Sequence, residues 1–365
     1  MRPNLVRRLL ALLLCAAVLL PLEFLFSWGN EGHLLISGVA ARHVPKSMPL
    51  FFRTASARAR IEYLGPEPDR WRFNTEPELK QSQEPDHYLN LETIAGIPLP
   101  PGRYDFYRKL EEKRAAAVAA GAKPAEVEAL LPEHVGLQPY IAMEIYGRLK
   151  VAFREYRRLR REKKPTLPAE QNAVFYAGWL GHYVADASQP LHATVHYNGW
   201  TGPNPNGYTT DKKTHWNFEG QFVQNHLKDL QNIGDRLKPP VKLQHPFDDY
   251  MAYIRESNGQ VKRLYQLEKT GAFKDAGTPE GVEFVRARMA AGAQMLLNLW
   301  YTAWLESAVE PPNPFAEPAR PAAPGQKARA SGAKPVSKGA GTASGKAGPK
   351  TPAPMKPENP GPPPK

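Results

Sequence analysis

The chain has 365 residues, of which 42% are hydrophobic and 10% aromatic, with a single cysteine and a formal charge of +12. That is apolar material enough for at least one full core, and it excludes a disulfide scaffold. The charge invites a nucleic-acid partner, but residues 311–365 carry nine basic against two acidic side chains and residues 1–27 three against one. The body between them is nearly balanced, so the charge says little about what that body binds.

Residues 1–27 place Arg2, Arg7 and Arg8 before the apolar run Leu9 to Leu22. This is the layout of a secretory signal peptide, and it predicts a mature protein that is secreted or periplasmic. An uncleaved membrane anchor is the alternative. Cys15 lies inside this segment, so the mature chain is expected to hold neither thiols nor disulfides. Cleavage after Ser27 leaves Trp28-Gly-Asn-Glu-Gly-His33 as the new start. A free terminal amine has a pKa near 8. It can lose its proton to a metal and, with the Trp28 carbonyl, form a chelate that His33 completes. A core Trp beside a helix-start His is the plainer reading of the same string.

Residues 34–43 and 47–62 read as helices, with His43 at the surface. Prolines 66 and 68 break that pattern, so residues 65–72 read as a loop carrying Asp69. Residues 84–92 read as a short extended piece in which His87 is the candidate donor and Asp86 either orients it or faces solvent. Residues 103–130 are helical and poor in chemistry. Residues 139–162 form a long amphipathic helix, apolar at Ile141, Ile145, Leu149, Val151 and Phe153, and the basic run Arg157 to Lys164 at its end reads as a solvated face.

The richest stretch is Phe175 to Glu219. His182 and Asp186 are four residues apart on one expected helix and therefore share a face. His215 and Glu219 repeat the spacing on a second helix. Between them His192 follows Pro190, where the chain has left the first helix and can turn back. A single His four residues from an acid is usually a surface ion pair. Two such pairs, an intervening His and apolar surroundings (Val174, Phe175, Tyr176, Trp179, Leu180, Tyr183, Val184) point instead to buried charges that need a partner, and a metal is one. Neutral imidazoles with carboxylates and no cysteine suit a hydrolytic zinc site.

Helices at about 214–236, 247–269 and 279–308 close the body, with Trp300, Trp304 and Leu305 read as core. His134, His196, His226 and His245 fit no ligand spacing, although His196 is close enough to the central stretch to meet substrate. Residues 311–365 collapse into Pro, Ala, Gly, Lys and Ser and are expected to be a disordered tail, with weak contact to anionic surfaces as one role. No GxGxxG or Walker sequence occurs, strand-like alternation is scarce, and the expected class is all-α with one domain at residues 28–310.

Trp28, His33, Asp69, His87, His182, Asp186, His192, His215 and Glu219, in this order and at these spacings, resemble the trinuclear-zinc superfamily. That superfamily unites bacterial zinc-dependent phospholipases C with single-strand-specific nucleases. The resemblance covers residues 28–308 and implies a helical body with three Zn2+ ions in a cleft. It implies one ion on Asp69, His87, His182 and Asp186, and a second, more exposed, on His192, His215 and Glu219. A third would sit on the Trp28 amine and carbonyl with His33, bridged by Asp186. It further implies a metal-bound hydroxide as nucleophile, with Asp69 taking or steering its proton.

The spacing of Trp28 and His33 and the long loop before His215 resemble the nuclease branch, whereas Glu219 resembles the phospholipase branch. The substrate is therefore expected to be single-stranded nucleic acid, with phospholipid as the alternative and a non-catalytic surface-binding module as a third possibility. Trp200 and Tyr208 would stack on a base or seat a head group, Lys212 and Lys213 would meet phosphate, and His196 would contact substrate. No obligate protein partner is expected.

Overall fold

A computed structural model describes residues 28–309. The expected signal segment at 1–27 and the expected tail at 311–365 lie outside the described residues. The described chain is helical, with no strand among the described residues beyond one isolated bridge between Tyr197 and Gly199. In chain order the main helices are α1 (Gly29–Arg42), α2 (Ala55–Leu64), α3 (Arg103–Ala119), α4 (Gln138–Arg161), α5 (Leu167–Ser188), α6 (Pro246–Gly259), α7 (Val261–Lys269) and α8 (Pro279–Glu306). None among the described residues is long and apolar enough to cross a membrane.

Helix α5 is the axis of this arrangement, packed against α4, α8, α2 and α1. Its second half, from Leu180 to Ser188, is buried on every side, including the polar His182, Asp186 and Ser188. Two glycines let its neighbours approach. A Cβ at Gly178 would lie 2.5 Å from the Leu64 Cβ, and one at Gly181 would lie 2.8 Å from the Ser37 Oγ. The side chains that follow, His182 and Asp186, are thereby set against α1 and α2. Proline at 190 ends the helix, since it pushes Gln189 to an extended conformation (φ −85, ψ 117).

Several local expectations are corrected. Glu67–Arg70 forms one helical turn where a loop was expected, because Pro68 sits in its first positions, where proline suits a helix. Glu84–His87 is a 3-10 turn, again started by a proline, and only from Tyr88 is the chain extended. Val151 is 57% exposed, so it lies off the buried stripe of α4. Within the basic run, Arg157 is not a solvated side chain, because its guanidinium lies 3.4 Å over the Trp304 ring and donates to the Trp304 carbonyl. The expected helix at 214–236 is present but broken into short pieces, one of them a π turn at Asn217–Gln221. Trp300 is core as expected, while Trp304 and Leu305 are half-buried.

Candidate metal centre

The last turn of α5 is held from outside. A buried helix end leaves its final carbonyls without intrahelical partners, and here side chains from several elements supply them. Gln138 and the Tyr250 hydroxyl donate to the Tyr183 carbonyl, and Tyr253 donates to Val184 at 2.8 Å. The Trp28 indole donates to Ala185 at 2.8 Å, Ser257 to Ala187 at 2.6 Å and Arg288 to Ser188 at 2.9 Å. Asp186 is therefore presented from a clamped backbone.

Around it eight of the nine sequence-derived positions bring their donor atoms together from distant parts of the chain, while Trp28 is tied to the same helix end through its indole. The His182 Nε2 and His87 Nδ1 are 2.9 Å apart and lie 3.3 and 3.1 Å from the Asp186 Oδ2. Both are 3.8 Å from the Asp69 Oδ1. On the other side of Asp186, the His33 Nε2 stands 3.3 Å from Oδ1, its ring stacked on His182 at 4.1 Å. A second cluster joins the His192 and His215 Nε2 atoms at 3.1 Å, with the His215 Nε2 2.8 Å from the Glu219 Oε1. The π turn carries Glu219, and such turns recur at functional sites. Trp28 is fully buried, and its carbonyl accepts from the Gly32 N–H at 3.2 Å, which ties the residue beside Asp186.

Backbone carbonyls orient two of the rings. The His182 Nδ1 pairs with the Gly65 carbonyl at 2.9 Å and the His192 Nδ1 with the His87 carbonyl at 2.6 Å. Each leaves Nε2 aimed at its cluster, as metal-ligating histidines are held. Several buried atoms have no hydrogen-bond partner: both His33 ring nitrogens, the Asp69 Oδ2 and the His87 Nε2. Native interiors rarely tolerate such orphans unless an unseen group satisfies them.

The donor set fits zinc. It consists of imidazole nitrogens and carboxylate oxygens with no thiolate, and bonds of about 2.0–2.2 Å at tetrahedral angles place donor atoms roughly 3.3–3.6 Å apart, close to the spacings found. Three groupings have donor atoms close enough to hold an ion: His33, His182 and Asp186; Asp69, His87 and His182; His192, His215 and Glu219. The first two share His182, whose Nδ1 is taken by Gly65, so its Nε2 serves one ion at a time.

The electrostatics divide the clusters. Burial, helped by His182, lowers the pKa of His33, and burial with Arg72 holds His87 well below its ordinary value, so both rings are neutral donors. Burial raises Asp69. Asp186 would be raised by burial too, but His182 and His192 hold it well below the usual carboxylate range. In the second cluster burial is likewise outweighed: Asp186 and Glu219 carry His192 up to about 9, and His215 and His192 bring Glu219 down to about 2.

A cavity of about 470 Å³ opens onto these groups, bordered by Arg72, Tyr88, Asn90, His134, Tyr197 and Asn198 among others, with His87, His192, His215 and Glu219 in its wall. None of Trp200, Tyr208, Lys212, Lys213 and His196 borders it. Trp200 stacks on His196 at 3.9 Å and packs against Tyr208 and Tyr265, while Lys212 and Lys213 are exposed. This aromatic cluster anchors the loop that presents Tyr197 and Asn198.

His134, first read as unrelated to the site, is in the cavity wall. Arg72 and Gln189 were not singled out from sequence; the first is three residues from Asp69 and the second lies between Asp186 and His192. His226 pairs with Asp229 at 3.2 Å, and His245 is exposed. No protein-family model matches the chain, and no curated protein does either.

Proposed function

We propose that the chain is a zinc-dependent hydrolase of phosphate esters that acts on single-stranded nucleic acid as a nuclease or 3′-nucleotidase. What carries this reading is the convergence of overlapping histidine and carboxylate groupings, reached through His87 and through His192, His215 and Glu219, at one cavity whose wall also holds Arg72. Asp69, His87, His182 and Asp186 would hold one ion, and His192, His215 and Glu219 a second. His33 and Asp186, with the amine and carbonyl of a mature Trp28, would hold a third. Zinc bound there would polarise a phosphoryl oxygen and make water a usable nucleophile near neutral pH.

The chain's own residues supply the rest. The Arg72 guanidinium is 3.2 Å from the Asp69 Oδ1, and its Nε is buried without a partner. It meets the phosphate as a fixed cation, where the developing charge is greatest. Asp69 has Oδ1 committed to Arg72, while Oδ2 accepts no hydrogen bond and lies 3.9 Å from the His33 Nε2, so Oδ2 is the oxygen that would take or steer the proton of an attacking water. Tyr88 and Tyr197 border the cavity with ring faces suited to a base. The location outside the cytoplasm rests on residues 1–27 alone.

A second reading, phospholipase C, is favoured by Glu219 and by the apolar Leu191, Val195 and Ala129 in the same wall. Assays of the mature protein on single-stranded DNA, RNA and a choline phospholipid, with and without chelator, separate the two. Chelator-sensitive release of nucleotides is expected; turnover of lipid alone would transfer the assignment to the second reading. Turnover that survives deletion of residues 311–365 would exclude a non-catalytic module built on the tail.

A further inference from the structure

Gln189 is fully buried and occupies the joint between α5, which carries His182 and Asp186, and the 3-10 turn Pro190–Ala193, which carries His192. Its Oε1 accepts the Leu191 N–H at 2.5 Å. That bond settles which way the amide faces, because only an oxygen can accept there. The amide nitrogen consequently points at the second cluster, 2.7 Å from the Glu219 Oε2 and 3.3 Å from the His215 Nε2. An amide nitrogen has no lone pair to offer a metal, so Gln189 is a donor of hydrogen bonds and not a ligand.

We infer that Gln189 is a positioning residue for the His192, His215 and Glu219 grouping. It occupies the Glu219 Oε2, leaving Oε1, 2.8 Å from the His215 Nε2, as the oxygen presented to an ion. This deepens the metal-site reading above and rests on it. The same side chain links the clusters mechanically, since the turn it caps through Leu191 also carries the ring of His192. Residues that orient a metal-ligating carboxylate commonly change metal affinity by about 10–100-fold when removed.

The test is metal binding, not turnover. Zinc equivalents and their affinities are measured on the full chain against a competing chelator, for the wild type and for Gln189→Met, which keeps the volume and removes the donor. The expected result is that one equivalent weakens by about 10–100-fold while the others hold. Glu219→Gln and the double variant complete a cycle: if Gln189 acts through Glu219, the double variant binds no more weakly than Glu219→Gln alone. Additive losses, or a Gln189→Met chain whose equivalents all match the wild type, overturn the inference and leave the metal site standing. A wild-type chain that binds no zinc overturns both. Cobalt substitution adds a readout that a purely structural role would not move, a changed visible spectrum at the weakened equivalent.

Discussion

The two halves of the candidate centre are built from the same residue types and behave differently. The half around Asp186 is sealed: the side chains of His33, Asp69, His87, His182 and Asp186 are at most 1% exposed, and each comes from a separate turn or helix except the last pair. The half around Glu219 reaches the surface through His215, 14% exposed, and opens directly into the cavity. In the first half burial lowers the pKa of His33 and His87, while Asp186 and Asp69 outweigh burial at His182 and raise it, so that half contains both neutral rings and a charged pair. In the second, Asp186 and Glu219 raise His192 to about 9 against burial, and His215 and His192 lower Glu219 to about 2, so a cation taken up there would displace a proton. The two halves differ chiefly in solvent access, closed around Asp186 and open at His215.

Breaking the sealed half gives the largest expected effect. Asp186→Ala removes the carboxylate shared by His33, His87 and His182 and leaves their cluster without its counter-charge. Removing one partner of a buried pair costs about 3–5 kcal/mol. Urea unfolding of the variant should show a loss of that order, and metal analysis should show the sealed half empty. A variant with wild-type stability and metal content would contradict the shared role of Asp186.

Much of this contrast was legible in the sequence, and its limits are physical. His182 with Asp186 and His215 with Glu219 show themselves because helical periodicity converts a four-residue spacing into a common face. Asp69 and His87 gave no periodic signal of their own, since each sits on a single turn started by a proline, and only the resemblance ordered them with the rest. Gln189 was hidden because nothing local says that a glutamine before Pro190 will be buried against Glu219. Arg72 needed the position of the cavity. Trp200 and Tyr208 show the opposite difficulty: ring-rich loops suit substrate and core equally, and here the two rings pack on His196 and Tyr265, away from the residues that line the cavity.

A smaller effect should separate chemistry from metal holding. Arg72→Ala keeps every proposed ligand and removes the cation beside Asp69, so zinc content should be unchanged while kcat/KM on the nucleic-acid substrate falls about a hundredfold. Lost metal in this variant would assign Arg72 to the framework instead. His215→Ala sharpens the contrast from the open side. It should empty only the second half, and a collapse of the sealed half would mean that the two are not independent.

The smallest effect is one of pH. In the metal-free chain the folded pKa of His192 is raised to about 9 from 6.5, so its stabilisation is fully present below 6.5 and lost as pH rises through 9. Glu219 is lowered to about 2 from 4.5, so its contribution is present above 4.5 and lost as pH falls through 2. The metal-free melting temperature should therefore decline as pH rises from 6.5 to 9. Zinc affinity of the open half should rise over the same range, because the metal displaces a proton. Parallel trends for the two would contradict the ion-pair account.

Zinc quantification on the mature chain beginning at Trp28, with stepwise removal by a competing chelator, tests the centre most directly. Three bound equivalents are expected, two around the shared Asp186 and one on His192, His215 and Glu219, with that last equivalent leaving first and the remainder held until the fold loosens. A chain that retains one residue before Trp28 should bind one equivalent fewer. No zinc above background, or equivalents that all leave together at the weakest chelator, would contradict the account.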